Sequence, residues 1–189
     1  MVEFTLAASD PLRELNLQFD ELTVVSITDR ALVAIAVPSQ GRNALADRLE
    51  QAYGTSIPEV GRTTTSNGDN VRFLGMARDQ IFMMFDDPGG DPLVPVSREL
   101  GSVAYLVDQS DSWVMLSVEG PRSRAALERI CPLDLDPGAF RENGVARTVM
   151  EHLAVIILRD GHDRFLLLSP RSTAKSFAHA VQVSAENVS

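Results

Sequence analysis

The chain has 189 residues, of which 44% are apolar and 23% charged, a composition typical of a folded globular protein. Its net charge of -9 excludes the usual nucleic-acid binder, which needs a basic face, and disfavours an anionic membrane surface. The single cysteine, Cys131, cannot form an internal disulfide and fits a reducing compartment. There is no secretory-signal pattern and no apolar run near the ~20 residues that span a bilayer, so we expect a cytoplasmic protein.

The first 102 residues divide into an arm and a folded unit. Residues 1–21 are mixed in composition and predict an N-terminal arm, and residues 22–102 predict a first α+β unit. Short β-branched runs indicate strands, and apolar residues at helical spacing indicate helices. The predicted order is a hairpin of Leu22–Thr28 and Ala31–Val37, a helix Ala44–Tyr53 between Asn43 as N-cap and Gly54, strands Val71–Met76 and Gln80–Phe85, and a helix Val94–Leu100.

Residues 103–189 predict a second unit of the same kind. Proline is favoured in the first turn of a helix, because its missing amide hydrogen would be unpaired there anyway, and this places a helix after Gly120-Pro121. The remaining elements are a hairpin of Val103–Gln109 and Ser112–Val118, a long extended run Val145–Leu158 with a bulge near Glu151-His152, a turn at Asp160-Gly161, a strand Phe165–Leu168 and a helix Arg171–Val183.

The two units contain an internal repeat. Thr23–Val37 and Ala104–Val118 align from end to end without gaps, and each has an apolar run, a polar turn and a second apolar run. A repeat of this length indicates a duplicated structural unit. We therefore predict an α+β fold of two pseudo-repeated β-β-α-β-β-α units, whose antiparallel sheets are covered by helices.

Two candidate nucleophiles occur in the second unit. Ser172 and Lys175 form an S-x-x-K pattern at the start of a predicted helix, as in serine acyl enzymes whose lysine accepts the hydroxyl proton. The companion S-D-N and K-T-G elements are absent, so we interpret the pattern as a polar first turn. Cys131 follows a helix C-terminus, where the dipole disfavours a thiolate, and we interpret it as a small buried apolar residue.

The three histidines do not predict a metal site. His152, His162 and His179 show no ligand spacing with one another or with Cys131. Phosphate binding is not predicted either, because the sequence contains no glycine-rich phosphate loop.

Acidic and aromatic residues complete the inventory. Asp134 and Asp136 begin like a calcium loop, but the third ligand and the glycine at position six are missing. The acidic stretch Asp86–Asp91 is interrupted by proline and glycine and indicates a solvated turn. Trp113 and Phe165 are interpreted as packing residues rather than as platforms for a planar ligand. The sequence therefore predicts no catalytic, cofactor-binding or metal-binding residue in this chain.

A series of short blocks in the second unit carries a resemblance to a known family. The blocks follow one another in order through most of the unit and begin with Leu106–Asp111 before Trp113. On these blocks the unit resembles the gamma subunit of heterotetrameric sarcosine oxidase. The other matching blocks are Gly120-Pro121, Cys131-Pro132-Leu133-Asp134-Leu135, Phe140, Ala146-Arg147-Thr148, Arg159–Leu168, Pro170-Arg171-Ser172, Ala174 and Ser176-Phe177.

The resemblance implies a fold similar to the aminomethyltransferase and folate-binding proteins. It implies a non-catalytic subunit of a flavin-dependent complex that oxidatively demethylates sarcosine to glycine. The partners would be the alpha, beta and delta subunits, which would hold FAD, FMN, NAD, tetrahydrofolate and zinc, with no cofactor in this chain. The K-G-C-Y-x-G-Q-E signature of folate-binding relatives is absent, and Cys131 stands in E-R-I-C-P-L-D-L instead.

Two hypotheses for function follow. The first is the structural gamma subunit of such an oxidase, a component of an oxidoreductase complex. The alternative, suggested by the shared fold, is a stand-alone folate-binding protein similar to aminomethyltransferases. Arg122, Arg124 and Arg171 are candidate rim contacts for a partner, since arginine suits polar interfaces.

Overall fold

The computed structural model describes residues 9–68 and 71–189. These residues form eleven strands and four α-helices, together with short 3-10 helices at Ser110–Ser112 and Arg171–Thr173. The strands are β1 (Asn16–Phe19), β2 (Leu22–Ile27), β3 (Arg30–Ala36), β4 (Thr63–Thr65), β5 (Arg72–Ala77), β6 (Gln80–Asp86), β7 (Tyr105–Asp108), β8 (Trp113–Glu119), β9 (Val145–Met150), β10 (Leu153–Gly161) and β11 (Arg164–Pro170). The helices are α1 (Arg42–Tyr53), α2 (Leu93–Leu100), α3 (Ser123–Glu128) and α4 (Ala174–Glu186).

The strands form two antiparallel sheets. The larger sheet has the order β1-β2-β8-β11-β10-β9, and the smaller sheet has the order β4-β5-β6-β3-β7. Successive strand residues point to opposite faces, so each sheet presents one apolar face to the other sheet and one to a pair of helices. The fold is α+β with helix-covered antiparallel sheets, as predicted.

Three apolar clusters hold the layers together. One lies between the two sheets and includes Leu32 and Phe82 from the smaller sheet and Ile156 and Leu168 from the larger sheet. A second packs α1 and α2 on the outer face of the smaller sheet, and a third packs α3 and α4 on the outer face of the larger sheet. The layer order is therefore helices, smaller sheet, larger sheet, helices.

The first strand of each repeat pairs with the other repeat. β2 pairs with β8 in the larger sheet, and β7 pairs with β3 in the smaller sheet. The predicted hairpins of β2 with β3 and of β7 with β8 are therefore wrong. The turns at residues 28–29 and 109–112 each carry the chain from one sheet to the other, so neither connects neighbouring strands.

The repeat itself also differs from the gapless alignment. Val25 pairs with Ser117, and in the equivalent position Tyr105 pairs with Ala36. The gapless alignment correctly matches Ala36 of β3 with Ser117 of β8, but it matches Val25 of β2 with Leu106 instead of Tyr105. The connection between β7 and β8 is longer by a single position than that between β2 and β3, and a gapless comparison cannot detect this.

The long run predicted at 145–158 is two strands instead of one. β9 and β10 form a hairpin in which Met150 pairs with Leu153. Glu151 and His152 both have positive φ angles, 47° and 70°, as a two-residue type I′ turn requires. The predicted bulge is therefore wrong. The sequence did not indicate the turn, because neither residue is the asparagine or glycine that usually marks a type I′ turn.

Helix ends follow the sequence only in part. Gly54 ends α1 in a left-handed conformation, with its amide donating to the Glu50 carbonyl at 2.9 Å, as predicted. The start of α1 is preceded by Gly41, so Asn43 lies inside the helix and does not cap it. The helix expected after Pro121 begins at Ser123.

The predicted division of the chain does not coincide with the sheets. Residues 1–8 of the expected N-terminal arm lie outside the described residues, while residues 16–19 of the same stretch form β1 in the larger sheet. Residues 69–70 also lie outside the described part. β2 and β7 each belong to the sheet formed mainly by the other repeat, so neither sheet is built from one predicted unit alone. The units 22–102 and 103–189 stay a prediction. Among the described residues no helix is both long and apolar enough to cross a membrane.

Candidate functional site

The serine and lysine of the S-x-x-K pattern lie at the surface where α4 begins. Ser172 lies in a 3-10 turn and Lys175 in the first turn of α4, and both side chains are exposed. No hydrogen bond between the two side chains is present in the described part of the chain. The 3-10 turn is instead held by Thr173, whose hydroxyl donates to the Pro170 carbonyl at 3.0 Å. The pattern is a polar first turn.

Cys131 is buried, as predicted. Burial raises the pKa of its thiol, and the smaller opposing effects come from the backbone at Leu133 and the Thr148 side chain. A thiol is nucleophilic only as the thiolate, so this environment makes Cys131 unreactive. The pKa of Tyr53 is likewise raised, to about 12, mainly by burial.

The histidines and acidic residues are scattered or engaged in turns. Across residues 9–68 and 71–189 no group of three histidine, cysteine or acidic side chains is placed to hold a metal ion. His162 contacts its neighbour Asp163 at 2.9 Å on the surface. Asp134 and Asp136 accept backbone hydrogen bonds from residues two positions further on, at 2.9 and 2.8 Å. These carboxylates therefore stabilise turns.

The two aromatic residues differ in their surroundings. Phe165 is fully buried, and the guanidinium carbon of Arg159 lies 5.4 Å from the centre of its ring. Trp113 is half-buried and makes an edge-to-face contact with Phe82, with ring centres 6.2 Å apart. Both aromatics pack within the protein, as predicted.

Arg159 is a buried cation that the sequence interpretation missed. It is 2% exposed, and its guanidinium donates hydrogen bonds only to backbone carbonyls in the described structure. A charged residue directly after the apolar run of β10 was the available signal. The accepting carbonyls belong to Leu135 and Phe140 at 3.0 Å, Gly161 at 3.2 Å and His162 at 2.7 Å.

A charged cleft opens between the two sheets where β2 overhangs the smaller sheet. Its volume is about 490 Å³. The inner face of β2 forms one wall, through Val25 and Ile27, and β5 and β6 of the smaller sheet contribute to the other. Its charged side chains are Arg30, Arg72, Glu119, Asp160 and Arg164.

Ion pairs within the chain neutralise most of this charge. Asp160, from the larger sheet, binds Arg72 of the smaller sheet and also Arg164, whose nitrogen lies 2.8 Å from the carboxylate. Arg30 pairs with Asp86. The ion pair of Arg72 with Asp160 therefore joins the two sheets across the cleft. Hydroxyl side chains also line the cleft, at Thr23, Thr65 and Ser117. Arg72 and Asp160 are 88 positions apart, so no sequence pattern indicated their contact.

A second surface lies where β7 overhangs the larger sheet. Tyr105 and Val107 pair directly with Ala36 and Ala34, so all four side chains point to the inter-sheet side. Tyr105 is 72% and Val107 is 53% exposed. We call these four residues the apolar surface. It occupies the position that corresponds to the charged cleft in the other repeat, because Val25 and Ile27 correspond to Tyr105 and Val107.

Comparisons with known proteins agree with this fold. No family model matches the chain. The gamma subunit of sarcosine oxidase from Corynebacterium sp. (strain P-1) is 26% identical over 145 residues, 76% of this chain and 70% of that protein. The gamma subunit from Arthrobacter sp. is 27% identical over 133 residues, 70% of this chain and 64% of that protein. The chain is thus similar in sequence to sarcosine oxidase gamma subunits over about three quarters of its length.

Two solved structures share the fold of this chain. A chain of the heterotetrameric sarcosine oxidase from Corynebacterium sp. U-96, in complex with pyrrole 2-carboxylate, superposes with a TM-score of 0.77 at 20% identity. The match covers 94% of this chain and 90% of that one. Aminomethyltransferase T of the glycine cleavage system from Bartonella henselae has a TM-score of 0.64 at 16% identity, over 84% of this chain but only 44% of that protein. The fold is thus similar to part of an aminomethyltransferase.

Proposed function

We propose that this chain is the structural gamma subunit of a flavin-dependent heterotetrameric sarcosine oxidase. In this role it is a non-catalytic component of a complex that demethylates sarcosine oxidatively to glycine. The observation that carries the proposal is the match over nearly the full length of both chains to a component of such an oxidase, at a TM-score of 0.77. The sequence relatives named as gamma subunits support the same role.

The side chains described above are consistent with a supporting role. Ser172 and Lys175 are exposed and are not hydrogen-bonded to each other, and burial favours the neutral thiol of Cys131. In the charged cleft, Asp160 pairs with arginines of the same chain. We propose that the alpha, beta and delta subunits are the partners, and that they hold the FAD, FMN, NAD, tetrahydrofolate and zinc of the complex in the cytoplasm.

Co-expression tests this proposal. The chain is produced alone and together with the alpha, beta and delta subunits of its own organism, and each product is separated by size exclusion. We expect the isolated chain to be colourless and the co-expressed chain to elute with the flavin absorbance. Sarcosine-dependent oxygen consumption by that peak identifies the reaction. A fully active flavin complex that leaves this chain as a separate monomer would contradict the proposal.

A second candidate function is folate binding by the chain alone. The observation that favours it is the fold similarity to part of an aminomethyltransferase. At 16% identity the two proteins share only the fold. Calorimetric titration of the isolated chain with tetrahydrofolate separates the two functions. Heat above that of dilution supports folate binding, and its absence supports the structural role.

A further inference from the structure

The two sheets differ in what lies on the outer side of β2 and β7, the strands that each repeat contributes to the sheet of the other. In the larger sheet, β2 is followed outward by β1, which pairs with it from Asn16 opposite Val25 to Phe19 opposite Leu22. In the smaller sheet, the corresponding strand β7 is the last strand in the described part of the chain. The repeat therefore shows what the outer edge of this strand accepts in one sheet: a short antiparallel strand.

The backbone of β7 is suited to the same pairing. The Gln109 backbone amide donates to the Leu32 carbonyl at 2.8 Å, so Gln109, which continues the register of β7 opposite Leu32, directs its backbone toward β3. Hydrogen-bonded pairs alternate along an antiparallel ladder, so Tyr105 and Val107 also direct their backbone groups toward β3. Leu106 and Asp108 consequently direct their amides and carbonyls outward. The Asp108 carbonyl accepts from the Gln109 side chain at 3.2 Å, and the Asp108 amide and both backbone groups of Leu106 can pair with an added strand.

β7 lacks several of the features that usually protect an edge, although it is short and carries one charge, at Asp108. Its four residues, Tyr105–Asp108, include no proline or lysine, and its register with β3 has no bulge. Natural edge strands commonly carry such features because a regular apolar edge pairs readily with another chain. The side chains of Tyr105 and Val107 are exposed, whereas Val25 and Ile27, their counterparts in β2, are half-buried.

A cation borders the apolar surface. Arg147 on β9 donates to the Gln80 side chain at 2.6 Å and lies over the ring of Phe82 at 5.6 Å. Gln80 pairs with Ala36, which in turn pairs with Tyr105, so the guanidinium lies two strands away from β7. Among the described residues no carboxylate lies within ion-pair distance of Arg147. An acidic side chain from another protein would complement this charge.

We propose that β7 is a docking edge for a partner subunit, from which an extended segment adds as a strand outside Tyr105–Asp108. Its apolar side chains pack beside Tyr105 and Val107. An acidic side chain in the chain that continues from the added strand across the apolar surface meets Arg147. Strand addition of this kind obtains affinity from main-chain hydrogen bonds and specificity from alternate side chains. The inference rests on the proposed function, because that function supplies the partner.

A lysine in the centre of the edge tests the inference in the co-expressed complex. Val107→Lys places a charge against the incoming strand but leaves an already exposed site in the free chain, so folding is preserved. Val94→Lys on α2 is the matched control, because Val94 is 58% exposed on the opposite, helix-covered side of the smaller sheet. We expect V107K to weaken assembly by about tenfold or more and V94K to leave it unchanged. Equal assembly of both variants overturns the inference.

Amide hydrogen exchange at single-residue resolution tests the mode of binding. We expect the Leu106 and Asp108 amides to exchange quickly in the free chain and slowly in the complex, because an added strand accepts hydrogen bonds from them. Fast exchange in the complex overturns strand addition, even if V107K blocks assembly.

The outcomes separate this inference from the proposed function. If the wild-type chain does not enter the complex, the proposed function fails, and the inference fails with it. If the wild-type and V107K chains enter equally well, only the docking edge is wrong. If the isolated wild-type chain forms a dimer that V107K abolishes, the occupant is a second copy, and the proposal of a partner subunit is overturned.

Discussion

Arg159 shows how one buried charge can organise a loop. Removing a guanidinium from water costs several kcal/mol unless its hydrogen-bonding groups are satisfied. Four backbone carbonyls satisfy it here, two of them in the loop between α3 and β9, at Leu135 and Phe140. The other two, Gly161 and His162, belong to the β10–β11 turn. The side chain therefore ties a long loop to the larger sheet.

We expect Arg159→Met to lower the free energy of unfolding by at least about 3 kcal/mol, because it leaves buried carbonyls without a donor. Urea unfolding followed by circular dichroism measures the change. The control is Arg98→Met on the exposed face of α2, where the loss should stay below about 0.5 kcal/mol. Similar losses for the two variants would show that Arg159 is not a structural centre.

Burial of Cys131 predicts slow thiol chemistry. Because burial raises the pKa of this thiol, the neutral form persists in the folded chain above the pH at which a free cysteine ionises. We expect a disulfide reagent such as DTNB to label Cys131 slowly at pH 8 in buffer and rapidly in urea. The stability contributed by the neutral thiol is fully present below the pKa of a free cysteine, about 8.5, and is lost as the pH rises through the higher pKa of the folded chain. Complete labelling of the native chain within seconds would contradict this.

At the scale of elements, the β9–β10 hairpin carries backbone strain. Glu151 and His152 both occupy the left-handed region, which is unfavourable for residues with a Cβ atom. The sequence predicted the extended backbone on both sides but not the reversal, because neither residue announces a type I′ turn. The hairpin is set by the apolar alternation of its strands, which places Val145 and Met150 in two different cores.

His152→Gly should therefore stabilise the chain by about 1 kcal/mol, since glycine adopts the positive φ angle without steric cost. Thermal unfolding detects the change as a rise in Tm. His162→Gly provides the control, because His162 also lies in a turn but not at a positive φ angle, so glycine there only adds freedom to the unfolded chain. An unchanged or lowered Tm for H152G would disprove the strain.

The elements themselves were largely predictable. The periodicity around Leu45 and Leu49 located α1, and the apolar runs at Gln80 and Val103 located β6 and β7 to within two residues. Apolar patterning reports burial, and burial is what fixes these elements. Apolar patterning does not tell which strand pairs with which. That pairing depends on contacts between distant residues, such as Val25 with Ser117, that leave no local signal.

At the scale of the whole molecule, the exchanged strands make the two halves interdependent. Residues 1–102 contain β2 but not the β8 edge on which it pairs, and they lack β7, which borders β3. Separately expressed, the pieces 1–102 and 103–189 should show no cooperative unfolding. We expect mixing them to restore the far-ultraviolet circular dichroism of the intact chain. Cooperative folding of either piece alone would establish the predicted units as independent domains.

The charged cleft illustrates the same limit on prediction. Its central ion pair joins Arg72 and Asp160 from different sheets, and each residue alone looks like an ordinary exposed charge. The resemblance of the second unit did indicate which known proteins the chain is similar to. The sequence could not indicate that β7, the first strand of the second unit, pairs with β3 in the sheet formed by the first unit.

Exchange of the first strands gives the chain the connectivity of a domain-swapped homodimer whose two subunits have been joined end to end. A true homodimer of that kind would be bound by its symmetry to show the same surface twice, and so to recruit two identical ligands or none. Covalent linkage removes this constraint, because Val25 and Tyr105 can now mutate separately. The chain uses that freedom to close one overhang with ion pairs and to leave the other apolar, which permits a one-to-one stoichiometry with a single partner.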